Sequence, residues 1–197
     1  MLTEIRIYCE GHVPLRAGFG VFFRELSDRA KAKRCSFSLI AAGSGPTAIR
    51  DFGIALKTRP TAWNILLKDS EGPYASDLAA SLCHQRGWNK SHADSIFWMV
   101  EMMESWFHAD KNALAKFYGQ EFNPKALKAN AKVEQISKKD LVDGLRAATR
   151  NTKKGDYYKH KTSHGPQLLG SIRPDAVQAA APNCKKLFAA IRAQLAD

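Results

Sequence analysis

The sequence predicts an α/β fold: a mostly parallel four-stranded sheet flanked by helices and followed by a basic helical C-terminal extension. Three observations lead there. Short apolar runs of strand length recur along the first hundred residues, amphipathic helical stretches separate most of them, and the balance of charge changes abruptly near residue 110. We read residues 1–120 as an α/β core and residues 121–197 as a basic helical region packed on it.

Ile5 to Cys9 alternates and is rich in β-formers, which makes it the first strand, closed by Glu10 and Gly11. Phe19, Phe22, Phe23, Leu26 and Ala30 then form one apolar stripe, predicting a helix from about Phe19 to Lys33. Ser36 to Ala41 is the second strand. Ser44 or Gly45 is positioned to cap the next helix, Pro46 suits its first turn, and Ile49, Phe52 and Leu56 face inward. The Gly43-Ser44-Gly45 turn resembles a phosphate cradle only weakly, and a plain connection between strand and helix is the stronger reading. Ile65, Leu66 and Leu67 form the third strand, although periodicity alone does not exclude a helix for so short a run.

Asp77 to His84 reads as a helix, Gly87 to Asp94 as a loop, and Ile96 to Val100 as the fourth strand. A further helix starts at Asp110 with Leu114 and Phe117 inward. Beyond it, Ser137 opens a helix to Thr149 that buries Leu141, Val142 and Leu145. Tyr157 to His164 reads as a basic aromatic loop, and two short helices, near Gly165 to Ile172 and Pro182 to Leu195, complete the chain.

Residues 1–110 carry 13 Lys/Arg against 12 Asp/Glu, while residues 111–197 carry 17 against 7. A positive half beside a neutral one suits a surface facing a polyanion, nucleic acid first; the alternative is that lysine-rich helices serve solubility. Arg150, Lys153, Lys154, Lys159 and Lys161 are the candidate phosphate contacts, and Tyr157 or Tyr158 the candidate base-stacking ring. No run is apolar enough to predict a membrane span, and the N-terminus lacks a leader pattern, so a cytoplasmic protein is expected. Cys9, Cys35, Cys83 and Cys184 are too scattered for a zinc site or a disulfide framework and read as reduced core thiols. His160 and His164 have helical metal-pair spacing but lack a third ligand.

The chemistry concentrates in acids that follow predicted strands: Glu10 after the first, Asp69 and Glu71 after the third, Glu104 after the fourth. In a parallel sheet these ends share one edge, where ligands of open α/β folds bind. Alternation along a strand would aim Asp69 and Glu71 the same way. Crowded carboxylates repel, and Mg²⁺ or Mn²⁺ is the usual compensation. A lone Asp-x-Glu also fits a solvated turn, and Glu104 fits a helix cap or a lysine partner equally well.

Four blocks, Ile5–Gly11, Leu66–Glu71, Met103–Asp110 and Ala148–Gly155, resemble the bacterial domain of unknown function 4276 family over nearly the whole chain, and in that family's order. The family is similar to Toprim domains, the metal-binding fold of topoisomerases, primases and overcoming-lysogenization-defect nucleases. The resemblance implies a Toprim-like sheet in which Glu10 matches the strand-one glutamate and Asp69 and Glu71 match the Asp-x-Asp pair. Glu104 falls in a Glu-x-Trp-Phe block. It further implies Mg²⁺ (or Mn²⁺) as cofactor, Glu10, Asp69 and Glu71 as catalytic residues, and an ABC/AAA-type ATPase partner in anti-phage defence. The chain departs from the Toprim pattern at Pro14, where nucleases often carry a second acid, and at Glu71, one methylene longer than Asp.

Two main readings of function follow, and a plainer third. One is a metal-dependent nuclease; the other is a non-catalytic nucleic-acid-binding or regulatory subunit with a degenerate Toprim fold. A third, plainer one is a docking module whose basic face meets the ATPase. DNA versus RNA and oligomeric state, self-association included, are left open by the sequence.

Overall fold

A computed structural model describes residues 2–196. Its centre is a four-stranded, all-parallel sheet in the order β2-β1-β3-β4, formed by β1 (Glu4–Cys9), β2 (Ser36–Ala41), β3 (Trp63–Asp69) and β4 (Ile96–Met99). The chain steps from β1 outward to β2, then returns to the other side of β1 for β3. The order of strands therefore reverses between β1 and β3, and the crevice outside such a reversal is where ligands of open sheets bind.

Alternation assigns the two faces. Ile5, Ile7 and Cys9 of β1, Ile65 and Leu67 of β3, and Phe97 and Met99 of β4 join the larger apolar cluster. Tyr8, Leu66, Ile96 and Trp98 point to the smaller one. The smaller cluster is covered by α3 (Gly45–Thr58) and α4 (Leu78–Arg86).

Residues Phe19 to Lys33, expected as one helix, form two: α1 (Leu15–Phe22) and α2 (Arg24–Ala32), broken at Phe23. The break accompanies complete burial of two successive rings. Phe22 stacks on Trp106 at 5.0 Å, and Phe22 and Phe23 both lie against Phe188, at 5.7 and 5.5 Å. α3 is capped as its sequence predicts, Ser44 Oγ accepting from the Thr47 N–H, with Pro46 in the first turn. α4 ends at Gly87, whose left-handed φ of 64° suits glycine. Part of the segment expected as loop before β4 is a short 3₁₀ turn, Lys90–Ser95.

After β4 come α5 (Glu104–Ala109), which the sequence reading did not anticipate, and α6 (Lys111–Tyr118), capped by Asp110. α7 (Lys138–Thr149) starts at Ser137, as predicted; Leu141 and Leu145 are buried, Val142 only partly. The expected loop from Tyr157 to His164 is instead a 3₁₀ turn, Tyr157–Lys159, leading into α8 (Lys161–Leu169). Tertiary contacts impose this order. Tyr157 is fully buried, edge-on to Phe107 at 5.8 Å, and its N–H donates to Thr149 Oγ1 at 2.9 Å. α9 (Pro174–Ala180) and α10 (Pro182–Gln194) complete the chain, each with proline in its first turn. Leu168, Val177, Leu187 and Ile191 enter the same apolar cluster as β1 and β3, so the basic region is built onto the sheet's larger face. All four cysteines are free and buried. Among the described residues, no helix is long and apolar enough to cross a membrane.

α1 and α8 approach through Gly18, where a Cβ would sit 2.5 Å from the Pro166 carbonyl oxygen. Because the obstacle is backbone, Gly18→Ala is expected to cost about 1–3 kcal/mol in urea unfolding. A cost below about 0.5 kcal/mol, the range of neutral surface changes, would show the two helices free to separate.

Candidate metal centre

The sheet's carboxyl edge is tied together before any acid is placed. Gly11 and Gly43 exchange both backbone hydrogen bonds, at 2.7 and 2.8 Å, joining the ends of β1 and β2. Gly11 does so at φ 132°, a conformation side chains rarely adopt. Next to it, the Glu10 N–H donates to the Leu67 carbonyl at 2.9 Å, and the Asp69 N–H donates to Glu10 Oε2 at 3.2 Å. Glu10 and Asp69 thus leave neighbouring strands at the point of reversal, held by backbone.

The Glu10 carboxylate lies against the start of α3. A Cβ on Gly45 would stand 2.8 Å from its Oε2. The Gly-Ser-Gly turn, weighed above as a phosphate cradle, makes room for this glutamate instead. Lys68 Nζ donates to the Asp69 carbonyl, sits 3.9 Å from Glu10 Oε2, and lies 5.1 Å over the Trp98 ring.

Glu71 joins them by a route alternation does not describe. β3 stops at Asp69, and Glu71 has a left-handed φ of 62° in the following turn. Ser70 N–H donates to Met99 O and Glu71 N–H to Glu101 O, anchoring that turn to the segment after β4. Ligand atoms of Glu10, Asp69 and Glu71 lie within 4.8 Å of one another, a spacing that suits one divalent cation. In this structure Glu71 is ion-paired with Lys138 at the head of α7, which raises the lysine's pKa.

Glu104 stands apart from that trio. It opens α5, is fully buried, and its Oε1 accepts from the Tyr157 hydroxyl at 2.9 Å and from Lys161 Nζ at 2.7 Å. Its Oε2 is buried without a partner. A cleft of about 260 Å³ is lined by Glu10, Asp69, Glu104 and Lys161, with His12 and Ser44 at its sides. Asp69 lies among these charges, its Oδ1 accepting the Met103 N–H at 2.9 Å. Burial, then the charges of Glu10, Glu104 and Glu71, push its carboxyl well above the ordinary range, with Lys161 opposing. Three hard oxygen donors, one of them disfavoured in its charged form, are a donor set that Mg²⁺ or Mn²⁺ fits.

Of the candidate nucleic-acid contacts, Arg150, Lys153 and Lys159 are exposed, and Lys154 Nζ lies 4.6 Å over the Phe117 ring. Lys161 is the one that lines the acidic cleft. Tyr158 is half-buried with its hydroxyl buried and Arg146 5.4 Å above its ring. Tyr157, the other ring considered for stacking, has no exposed face, because it supports Glu104 from below. His160 and His164 sit 5.2 Å apart, but His164 is buried against Tyr118, its Nδ1 3.2 Å from that hydroxyl. Among the described residues, the acidic trio is the group of three or more side chains with metal-ligand spacing.

Several participants escaped the sequence reading. Glu101 is buried at a left-handed φ of 62°, and its Oε2 accepts the Lys138 N–H at 3.2 Å, positioning the head of α7. It follows β4 as Glu10 follows β1, so the rule that selected Glu10 also pointed to it. Lys68, Lys138 and His12 carried no local signal, and Gly45 was read as a cap or turn residue and not as room for Glu10.

A family model described as Domain of unknown function (DUF4276) matches residues 21–192. No curated protein and no solved structure matches the chain.

The raised Asp69 carboxyl has a definite sign. Its folded form holds the proton more tightly than the unfolded chain does. Without metal, its contribution favours folding at low pH and is lost as pH rises from about 3.9 through the raised value. Asp69→Asn is therefore expected to raise the melting temperature of metal-free protein at pH 8 by a few degrees, and Mn²⁺ should stabilise the wild type but not the variant. A variant less stable than wild type at pH 8 without metal would contradict the crowding. Gly45→Ala should leave the melting temperature nearly unchanged, since only a flexible carboxylate must move, yet weaken Mn²⁺ binding by roughly tenfold in calorimetric titration.

Proposed function

The chain belongs to the DUF4276 family, and for it we propose a metal-dependent nuclease of Toprim type that hydrolyses phosphodiesters of DNA or RNA. The observation that carries this reading is the convergence of Glu10, Asp69 and Glu71 at the reversal point of a parallel sheet, beside a cleft that also holds Lys161. Glu10, Asp69 and Glu71 would hold Mg²⁺ or Mn²⁺. When bound, such an ion orients a phosphodiester, sharpens a water as nucleophile and stabilises the leaving oxygen.

The chain's own residues account for the rest. Asp69 Oδ1 accepts the Met103 N–H and Glu10 Oε2 accepts the Asp69 N–H, so both donors are positioned by backbone without substrate. Glu71 must let go of Lys138 to act as a ligand. Lys161, with a side chain 47% exposed, can swing from Glu104 toward a phosphate oxygen and back. Glu104 then keeps its bond from the buried Tyr157 hydroxyl. The exposed bases Arg150, Lys153 and Lys159 precede α8, offering an electrostatic approach for a polyanion. The ATPase partner and a role in phage defence, which the sequence resemblance implies, form part of the same proposal.

The Lys138–Glu71 pair also favours a second reading, a binding or regulatory subunit in which the lysine replaces the cation. Cleavage assays separate the two. The first predicts Mg²⁺- or Mn²⁺-dependent cutting of a nucleic acid that drops about 100-fold or more in Asp69→Ala, with circular dichroism unchanged. Absence of cutting on single- and double-stranded DNA and RNA, with binding intact in that variant, supports the second. Binding that is insensitive to salt would argue against phosphate contacts in either case.

A further inference from the structure

Beside the acidic cleft lies a second, more enclosed pocket of about 110 Å³. Pro14 and Leu15 at the start of α1 form one wall, Thr162 and Gly165 of α8 the other, and Met103 and Tyr157 belong to its lining. Leu15, Met103 and Tyr157 are buried, so much of this lining is apolar. The pocket shares His12, Leu15, Met103 and Lys161 with the acidic cleft, so the two form one depression with Lys161 at their junction. Its shape is fixed in advance, because α1 and α8 meet through Gly18 against the Pro166 carbonyl.

The size of the pocket selects its occupant. An engineered apolar cavity of about 150 Å³ takes one benzene ring. A pocket of about 110 Å³ is smaller than that, so it takes a single ring only because it opens toward solvent, and it has no room for two fused ones. In a polynucleotide, every phosphate carries a base within one sugar of it. A phosphate beside Lys161 would bring the neighbouring base to this pocket, with His12 and Thr162 at hand for the polar edge of the ring. A base paired in a duplex cannot turn into such a pocket without unstacking, which costs a few kcal/mol.

We propose that this pocket receives the pyrimidine base next to the phosphate held in the acidic cleft, making the substrate an unpaired, pyrimidine-containing segment. The inference rests on the phosphodiester reading above and names the substrate class of that site. Lys161 joins the two halves: its ammonium faces phosphate on one side while its stem borders the base pocket on the other.

The test uses the full chain with Ca²⁺ in place of Mg²⁺ to suppress hydrolysis. Fluorescence anisotropy compares oligothymidylate, oligodeoxyadenylate and their duplex, and calorimetry follows Mn²⁺. Oligothymidylate is expected to bind about tenfold tighter than either competitor. Thr162→Phe, which places a ring from an exposed position into the pocket, should erase the preference while Mn²⁺ affinity is unchanged. Gly165→Ala, whose methyl makes ordinary contacts with Tyr157 and Leu15, should weaken the preference without disturbing the fold. Equal binding of all three nucleic acids by a wild type that still binds Mn²⁺ would overturn this inference alone, as would a preference that survives both substitutions. A wild type that binds no Mn²⁺ would overturn the metal reading and this inference with it.

Discussion

The repulsion among carboxylates gathered at the end of a parallel sheet is the constraint around which the molecule is arranged. Glu10 and Asp69 are placed there by neighbouring strands, Glu71 by a turn in left-handed conformation, and Glu104 by the first residue of a buried helix. Nothing in sheet formation requires acids at these positions, and burial makes their charge costly. The surroundings offset part of that cost with Lys68, Lys138 and Lys161, one lysine from β3 and two from the helical region. A cation among the three close carboxylates would offset the rest.

That arrangement explains why the basic helices are joined to the sheet by a shared core. α8 supplies Lys161, its preceding turn supplies Tyr157, and α7 supplies Lys138, so three contacts to the acids come from residues beyond 120. Each is held by apolar packing: Tyr157 under Phe107, α8 against α1, α7 through Leu141 and Leu145. The excess of positive charge has a local use at this edge besides any attraction for a polyanion.

The sheet was legible because its strands are short apolar or alternating runs followed closely by glycine or acid, and all four expected strands occur close to the residues named for them. Helix starts with a serine cap, at Ser44 and Ser137, were equally plain. The segment from Tyr157 was not, since its basic and aromatic composition resembles a surface loop, while its order comes from contacts with Thr149, Phe107 and Glu104 that are distant in sequence. The acids at strand ends could be foreseen for Glu10 and Asp69. Glu71 arrives at the same place through a turn and not through strand alternation. Glu101 and Gly45 show the remaining difficulty: one acts through the backbone of α7, the other by lacking a side chain where Glu10 must fit.

A crystal grown with Mn²⁺ and measured at the manganese absorption edge addresses the central claim most directly. The account requires an anomalous peak bounded by Glu10, Asp69 and Glu71, with oxygen distances of about 2.0–2.3 Å and Glu71 released from Lys138. A well-ordered crystal saturated with Mn²⁺, in which that position holds no peak and Lys138 still occupies Glu71, would contradict it.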